Sequence, residues 1–320
     1  MSDIAVIGAG AFGTALAIAL AEDGHKVDLI ARNAAHVSQM SADRENRSRL
    51  PGHALPAGLY PSLTLRKTYR AILLAVPTQA LHARVSELGS SLPDAPFVTC
   101  NKGIDLTTGL GAAGIVRQVI PKARVAVLSG PGFAVDIAAG LPTAMTLACE
   151  DADLGAAMQD LLSTRALRLY LTQDVTGVQL CGALKNVIAI GAGISIGSGL
   201  GESARAALMS RGFAELTRFA TAHGAKADTL SGLAGFGDLV LTCTSEKSRN
   251  MQFGMALGQG SSLAKGVTVE GASTARIVSK LAKNAEVSTP ITDLVTAIID
   301  GHVTVDQAKA LLLARPLKKE

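Results

Sequence analysis

A short apolar run, Ile4-Ala5-Val6-Ile7, leads directly into Gly8-Ala9-Gly10-Ala11-Phe12-Gly13 and then into an alanine-rich stretch of helical type that ends near Asp23. Nothing else in the 320 residues restricts the fold as much. GxGxxG with a strand before it and a helix after it marks a dinucleotide-binding βαβ unit. Gly8 permits the tight turn, Gly10 lets the backbone approach a pyrophosphate, and Gly13 lets the helix pack on the strand, so that the helix N-terminus faces the phosphates. Residues 4–21 are eighteen positions without a charge, the length of a membrane span. Three glycines in six residues, and an acidic Asp3 with no basic flank before it, argue against both a span and a signal peptide. The stretch reads as a buried strand and helix.

The second strand-like run, 26–31, ends in Ala31-Arg32-Asn33. An NAD-specific site usually presents an acidic residue to the ribose 2′-hydroxyl at this place. Arg32 can instead hold a 2′-phosphate through charge-assisted hydrogen bonds, so NADP(H) is expected to bind at least as well as NAD(H). The other reading of Arg32 is a solvated loop arginine, while Asp28 lies too early in the strand to be a good ribose ligand. Further apolar runs at 71–76, 97–100, 125–128, 143–148 and 167–171 alternate with helical stretches. That is the alternation of a doubly wound (Rossmann) α/β domain. Ligands bind beyond the carboxyl ends of such strands. Pro77-Thr78, Asn101-Lys102-Gly103 and Ser129-Gly130-Pro131-Gly132-Phe133-Ala134 gather there. After Gln173 the strand signals fade and helical patterns continue, which predicts a dinucleotide-binding domain over 1–173 and an all-helical substrate and catalytic domain over 174–320. Residues 47–61, with three prolines, read as the only long irregular stretch.

Between Asp174 and Glu202 the single charge is Lys185. Such a segment is destined for burial, and burial disfavours an ammonium, bringing its pKa towards neutrality, where it can act as acid or base. On a helix, Gly182, Ala189, Ala192 and Gly193 share roughly the face of Lys185 and would let a small molecule reach the amine, with Asn186 about 100° round. Alternatively the lysine snorkels to the surface and the small residues serve close helix packing. Lys102 ends a strand on the cofactor side, where an ammonium can bind a substrate oxygen or phosphate; the alternative is a surface lysine. Asp238 stands in the apolar run Gly235-Phe236-Gly237-Asp238-Leu239-Val240-Leu241-Thr242-Cys243, where a carboxylate either caps a helix or pairs with a lysine such as Lys185. Ser248-Arg249-Asn250 opens a helical stretch and offers N–H groups and a guanidinium to an anion, although alone it would read as a Ser cap with a solvated arginine. Together these parts suggest hydride transfer to a small phosphorylated ketone. None of the six histidines lies in a comparable constellation, which counts against the histidine chemistry of 2-hydroxy acid dehydrogenases.

Composition bounds the remaining classes. A net charge of +4 with dispersed basic residues, no Trp and three Tyr give neither a nucleic-acid surface nor a stacking platform. Only Lys318-Lys319 forms a basic pair of note. Cys100, Cys149, Cys181 and Cys243 have no close spacing, so no metal site or disulfide framework is expected and a reducing cytoplasm is.

The motifs Gly8-Ala-Gly-Ala-Phe-Gly13, Asn101-Lys-Gly103, Ser129-Gly-Pro-Gly-Phe-Ala134, Gly182-Ala-Leu-Lys-Asn186, Gly237-Asp-Leu-Val-Leu-Thr-Cys243, Ser248-Arg-Asn250 and Val269-Glu-Gly271 stand in the order seen in bacterial NAD(P)-dependent glycerol-3-phosphate dehydrogenase, which the whole chain resembles. The resemblance implies reversible reduction of dihydroxyacetone phosphate to sn-glycerol 3-phosphate, feeding glycerophospholipid synthesis. It implies Lys185 as proton donor and acceptor, with Lys102 and Asp238 beside it. Gly8, Gly10, Ala11, Phe12, Gly13, Arg32, Lys102, Ala134, Arg249 and Glu270 match cofactor-contacting positions. Lys102, Gly130, Gly132, Lys185, Asn186, Asp238, Thr242, Ser248, Arg249 and Asn250 match substrate-contacting ones. Three positions depart from the family pattern: Ala11 where serine is frequent, Gly132 where Ser or Thr is common, and Ser203 where asparagine is usual. The first loses a hydroxyl contact to cofactor phosphates, and the second leaves no side chain for substrate. A homodimer is the implied assembly. The alternatives are a β-hydroxyacid dehydrogenase or ketopantoate-type reductase, whose substrates carry a carboxylate instead of a phosphate, and a catalytically silent NADP(H) sensor.

Overall fold

The computed structural model describes residues 3–261 and 269–313, so Lys318-Lys319 lies outside the described residues. Eight strands among them form one sheet: β1 (Ile4–Ile7), β2 (Val27–Ile30), β3 (Leu59–Ser62), β4 (Ala71–Leu74), β5 (Phe97–Thr99), β6 (Val125–Ser129), β7 (Thr143–Ala148) and β8 (Leu167–Thr172). Their order is β3-β2-β1-β4-β5-β6-β7-β8. All neighbours are parallel except β6 and β7, which run antiparallel. The strands read as continuous apolar runs because both faces are covered. Ile4, Val6, Leu29, Leu73 and Val98 meet the helices Ala11–Glu22 and Ala152–Leu162 on one side. Ile7, Ile72, Leu74, Phe97 and Val127 meet Thr78–Leu88 and Ala112–Val119 on the other. The chain order reverses between β1 and β4, and that switch point opens a crevice at the carboxyl ends of the strands.

The stretch expected to be irregular, 47–61, ends in a strand. β3 pairs with β2, and Pro61 lies opposite Leu29. An edge strand tolerates a proline because one row of its backbone groups has no partner to lose. The rest of the loop is pinned from a distance: Asn46 Nδ2 donates to Ala9 O at 3.1 Å and to Thr14 Oγ1 at 2.8 Å, and the Arg44 guanidinium donates to Leu55 O at 2.9 Å. These ties span 11 to 37 positions and leave no local pattern to read.

β8 ends at Thr172 and the helix Val175–Gly197 begins three residues later, capped by Asp174, whose carboxylate accepts from Gly177 N and Lys226 N, both at 2.8 Å. Helices Gly201–Ala222, Arg249–Gly258, Glu270–Asn284 and Pro290–Ile299 pack around it. It is the one helix among the described residues long and apolar enough to cross a membrane, and 83% of that stretch is buried in the protein. The small residues on this helix do not open a path to the amine. A Cβ added at Gly193 would lie 2.2 Å from Met251 O, and one at Gly254 would lie 2.0 Å from Ile190 O. Ala189 and Ala192 are fully buried in the core that contains Phe219. Their size lets two helix backbones touch, and of these only Gly182, whose added Cβ would approach Ser129 Oγ and Lys102, faces the end of the sheet.

Candidate active site

The glycine turn after β1 has the geometry that a bound pyrophosphate needs. Gly8 takes φ +117°, and a Cβ there would stand 2.7 Å from Ala75 O. A Cβ on Gly13 would strike Gly8 O, whereas one on Gly10 meets nothing within 4 Å. The helix Ala11–Glu22 therefore packs tightly on the strand while its N-terminus stays open. No side chain caps it and its first turn holds no acidic residue, so its free N–H groups suit an anion. Arg32 is exposed just beyond β2. Asp28 is occupied elsewhere: its carboxylate accepts from Arg66 Nε and from the Tyr69 hydroxyl, both at 2.7 Å. These residues fit a dinucleotide cofactor, with Arg32 the charged group at the end of β2.

Across the cleft, four side chains from distant parts of the chain meet. Lys185 Nζ donates to Asp238 Oδ1 at 2.7 Å and to Thr242 Oγ1 at 2.6 Å. Lys102 Nζ donates to the other oxygen, Asp238 Oδ2, and to Gly130 O, both at 2.8 Å. A lysine ammonium has three protons, so each keeps one N–H for a ligand. Lys185 is 6% exposed, which rules out snorkelling. Burial pushes the Lys185 amine down to about 8, with the neighbouring Lys102 charge adding to the effect and Asp238 opposing it. Burial also disfavours the Asp238 carboxylate, but its two ammonium neighbours outweigh that, and its net shift is downward. Asp238 opens the helix Asp238–Thr244 directly after a π-helical turn, Leu233–Gly237. Such turns often mark functional positions.

The remaining candidates fall into a brace and a rim. Asn186 Nδ2 donates to Lys102 O at 3.0 Å, and Asn186 Oδ1 accepts from Asn250 Nδ2 at 2.9 Å. Asn250 Oδ1 in turn accepts from Gly271 N at 3.0 Å. Both asparagines are thus occupied in holding Lys102 and the two helices together. Ser248 caps the helix Arg249–Gly258 by accepting from Met251 N at 3.2 Å, and Arg249 is exposed at its first position. Glu270 accepts from Thr78 N at 3.1 Å and from Thr78 Oγ1 at 3.3 Å, a tie between the two halves. Burial raises the Glu270 carboxyl pKa, against the bond from Thr78 and the nearby Arg249 and Lys102 charges. Phe12 places its ring 5.8 Å from Lys102 Nζ. Gly130 takes φ +139° beside Met145, and Ala134 starts the short helix Ala134–Ala138. A Cβ on Gly132 would lie 3.1 Å from Ile137 Cδ1 and 3.2 Å from Thr143 Cγ2, so a side chain there has little room. Ser203 is exposed in the first turn of Gly201–Ala222.

Thr78 and Asn101 stand at the cofactor-side strand ends where the sequence puts them, but their contacts carry no sequence signal: Thr78 donates to Glu270, and Asn101 Nδ2 donates to Val76 O. Their partners are up to 192 positions away. All four cysteines are free and buried, and burial pushes the thiols of Cys100, Cys181 and Cys243 up to about 12.

A Rossmann sheet with an open glycine turn, facing a helical half that presents a buried lysine on a carboxylate, defines a two-part nicotinamide-dependent dehydrogenase. Sequence profiles of NAD-dependent glycerol-3-phosphate dehydrogenase match here over residues 3–155 for its N-terminal part and 174–310 for its C-terminal part. The chain belongs to that family. Proteins named glycerol-3-phosphate dehydrogenase [NAD(P)+] from Paracoccus denitrificans and Jannaschia sp. are 51% and 52% identical to it, covering 99% and 98% of this chain and 99% of each relative. The crystal structure of glycerol-3-phosphate dehydrogenase from Coxiella burnetii superposes with a TM-score of 0.92 at 36% identity, over 98% of this chain and 99% of that one. A ketopantoate reductase from Ralstonia eutropha shares the fold, with a TM-score of 0.64 at 16% identity over 96% of this chain and 99% of its own.

Proposed function

We infer that this chain catalyses the reversible reduction of dihydroxyacetone phosphate to sn-glycerol 3-phosphate with NAD(P)H, a reaction that supplies the glycerol backbone of phospholipids. In this reading residues 1–173 hold the cofactor and 174–320 hold the substrate. The observation that carries it is the buried Lys185–Asp238–Lys102 array, in which two ammoniums share one carboxylate and each keeps an N–H. The bound nicotinamide supplies a hydride to the carbonyl carbon. Lys185 gives a proton to the carbonyl oxygen, and Lys102 stabilises the charge that develops there. Asp238 and Thr242 aim Lys185, while Asn186 and Asn250 fix Lys102 and the helix that bears Arg249. Arg249, exposed at a helix N-terminus, grips the phosphate.

The test is NADPH oxidation by purified protein with dihydroxyacetone phosphate, dihydroxyacetone and ketopantoate side by side. Turnover with the phosphorylated ketone alone is expected. Turnover with ketopantoate instead would replace this reading, and tight NADPH binding without any turnover would favour a sensor.

The Lys185 amine near 8 gives opposite pH dependences for the two directions. Ketone reduction needs the ammonium, so kcat/KM should hold below this pH and fall about tenfold per unit above it. Alcohol oxidation needs the free amine and should rise with pH until it levels there. Parallel profiles in the two directions would remove Lys185 as the titrating group.

Arg32 supports at least equal use of NADP(H) and NAD(H). Arg32→Ala should weaken NADPH roughly tenfold, the order of one lost charge-assisted bond pair, and leave NADH within about twofold. Equal loss for both cofactors, measured by fluorescence titration, would take Arg32 out of the 2′-phosphate site.

A further inference from the structure

Lys247 lies immediately before Ser248, the cap of the helix that carries Arg249. Its ammonium stands 2.9 Å from Asp136 Oδ1 and 6.0 Å from the centre of the Phe133 ring. Asp136 and Phe133 belong to the other half of the protein, at the short helix Ala134–Ala138 that follows β6 and Gly130. The Lys247 side chain therefore bridges the cleft. It ties the segment bearing Arg249 to the loop whose Gly130 carbonyl holds Lys102. The tie has a stiff connection to Arg249, because Ser248 N donates to Ser245 O at 3.1 Å and Lys247 N donates to Ser245 Oγ at 3.2 Å, closing a tight turn just ahead of the cap.

We propose that Lys247, held by Asp136 and Phe133, is a positioning residue for the phosphate grip: it sets where Arg249 stands over the cleft and so sharpens the preference for a phosphorylated ketone without touching it. The proposal rests on the reading that Arg249 holds the substrate phosphate. Two kinds of attraction act on one ammonium here, an ion pair and an aromatic face. The side chains of Lys247 and Asp136 are 55% and 30% exposed, so the contribution is modest and weakens as salt rises.

Lys247→Met and Asp136→Asn are each expected to raise KM for dihydroxyacetone phosphate about two- to fivefold at low ionic strength, the size of a partly exposed ion pair, with little change in kcat. Each should leave kcat/KM for unphosphorylated dihydroxyacetone as it was, and added salt should shrink the difference from the unaltered protein. Exchanging the charges, Asp136→Lys with Lys247→Asp, should recover most of the KM. If Lys247→Met raises KM while Asp136→Asn does not, Lys247 meets the phosphate itself and the positioning role is overturned. It is equally overturned if neither variant changes KM, if both ketones lose alike, or if the exchange recovers nothing. Arg249→Ala, run in parallel, separates the two levels. If it leaves the preference for the phosphorylated ketone intact, the phosphate reading itself fails. If it abolishes that preference while the Lys247 and Asp136 variants behave normally, only the present inference fails.

Discussion

Replacing Lys185 with alanine should lower turnover of dihydroxyacetone phosphate about 10³-fold, the middle of the range for loss of a positioned general acid, while NADPH binds nearly as before. The structure explains why this loss should be confined to chemistry. Asp238 would still hold Lys102 at 2.8 Å, so no buried carboxylate is left without a cation. Lys185 also lies on the helical side of the cleft, away from the glycine turn whose open helix N-terminus suits a pyrophosphate. Single-turnover kinetics and fluorescence titration of NADPH check the two halves of the expectation. Full activity in this variant would sink the assignment. Arginine is not a substitute, since a guanidinium stays charged and cannot give up its proton at working pH.

Asp238→Asn should have the opposite character, with a large effect on stability as well as on rate. One carboxylate now stands between two ammoniums at 2.7 and 2.8 Å. Removing its charge leaves two cations facing each other in a buried site, and breaking buried pairs of this kind costs about 3–5 kcal/mol. The system has an escape, because Lys185 can shed its proton. Asp238 is the main influence that holds the amine as high as about 8 against burial, so in the variant the amine should titrate lower. The pH limit of ketone reduction then moves to the acid side, and at neutral pH the rate falls because less of the amine carries its proton. A urea midpoint unchanged from the unaltered protein, together with an unchanged pH profile, would show that Asp238 does not hold the charge balance of the site.

The two halves of the site depend on each other for its geometry. Lys102 comes from the end of a strand, yet its carboxylate partner and the asparagine on its carbonyl both come from the helical half. Glu270 caps the N-terminus of Thr78–Leu88 across the same cleft, where the local N-cap residue, Pro77, has no side chain that could do so. The Gly132 departure has a packing basis, since the added Cβ would press on Ile137 and Thr143.

The class of fold and the chemistry on offer were legible in the order of the residues. Strand, glycine turn and helix at 4–22 specify a dinucleotide half through steric rules that act within a few residues, and seven of the eight strands announce themselves as apolar runs. Lys185 stood out because a lone charge in a long apolar segment has few physical outcomes. What those residues do to one another follows from contacts between distant parts of the chain. The tertiary structure turned β7 antiparallel and made a strand of Leu59–Ser62, because pairing is set by a neighbour distant in sequence and an edge tolerates proline. It committed Gly193 and Gly254 to helix contact instead of substrate access. It also joined Lys102 and Lys185, which lie 136 and 53 positions from Asp238, into one hydrogen-bonded array on that carboxylate. A pKa depends on burial and on the charges within a few ångströms, and chain separation carries no information about either.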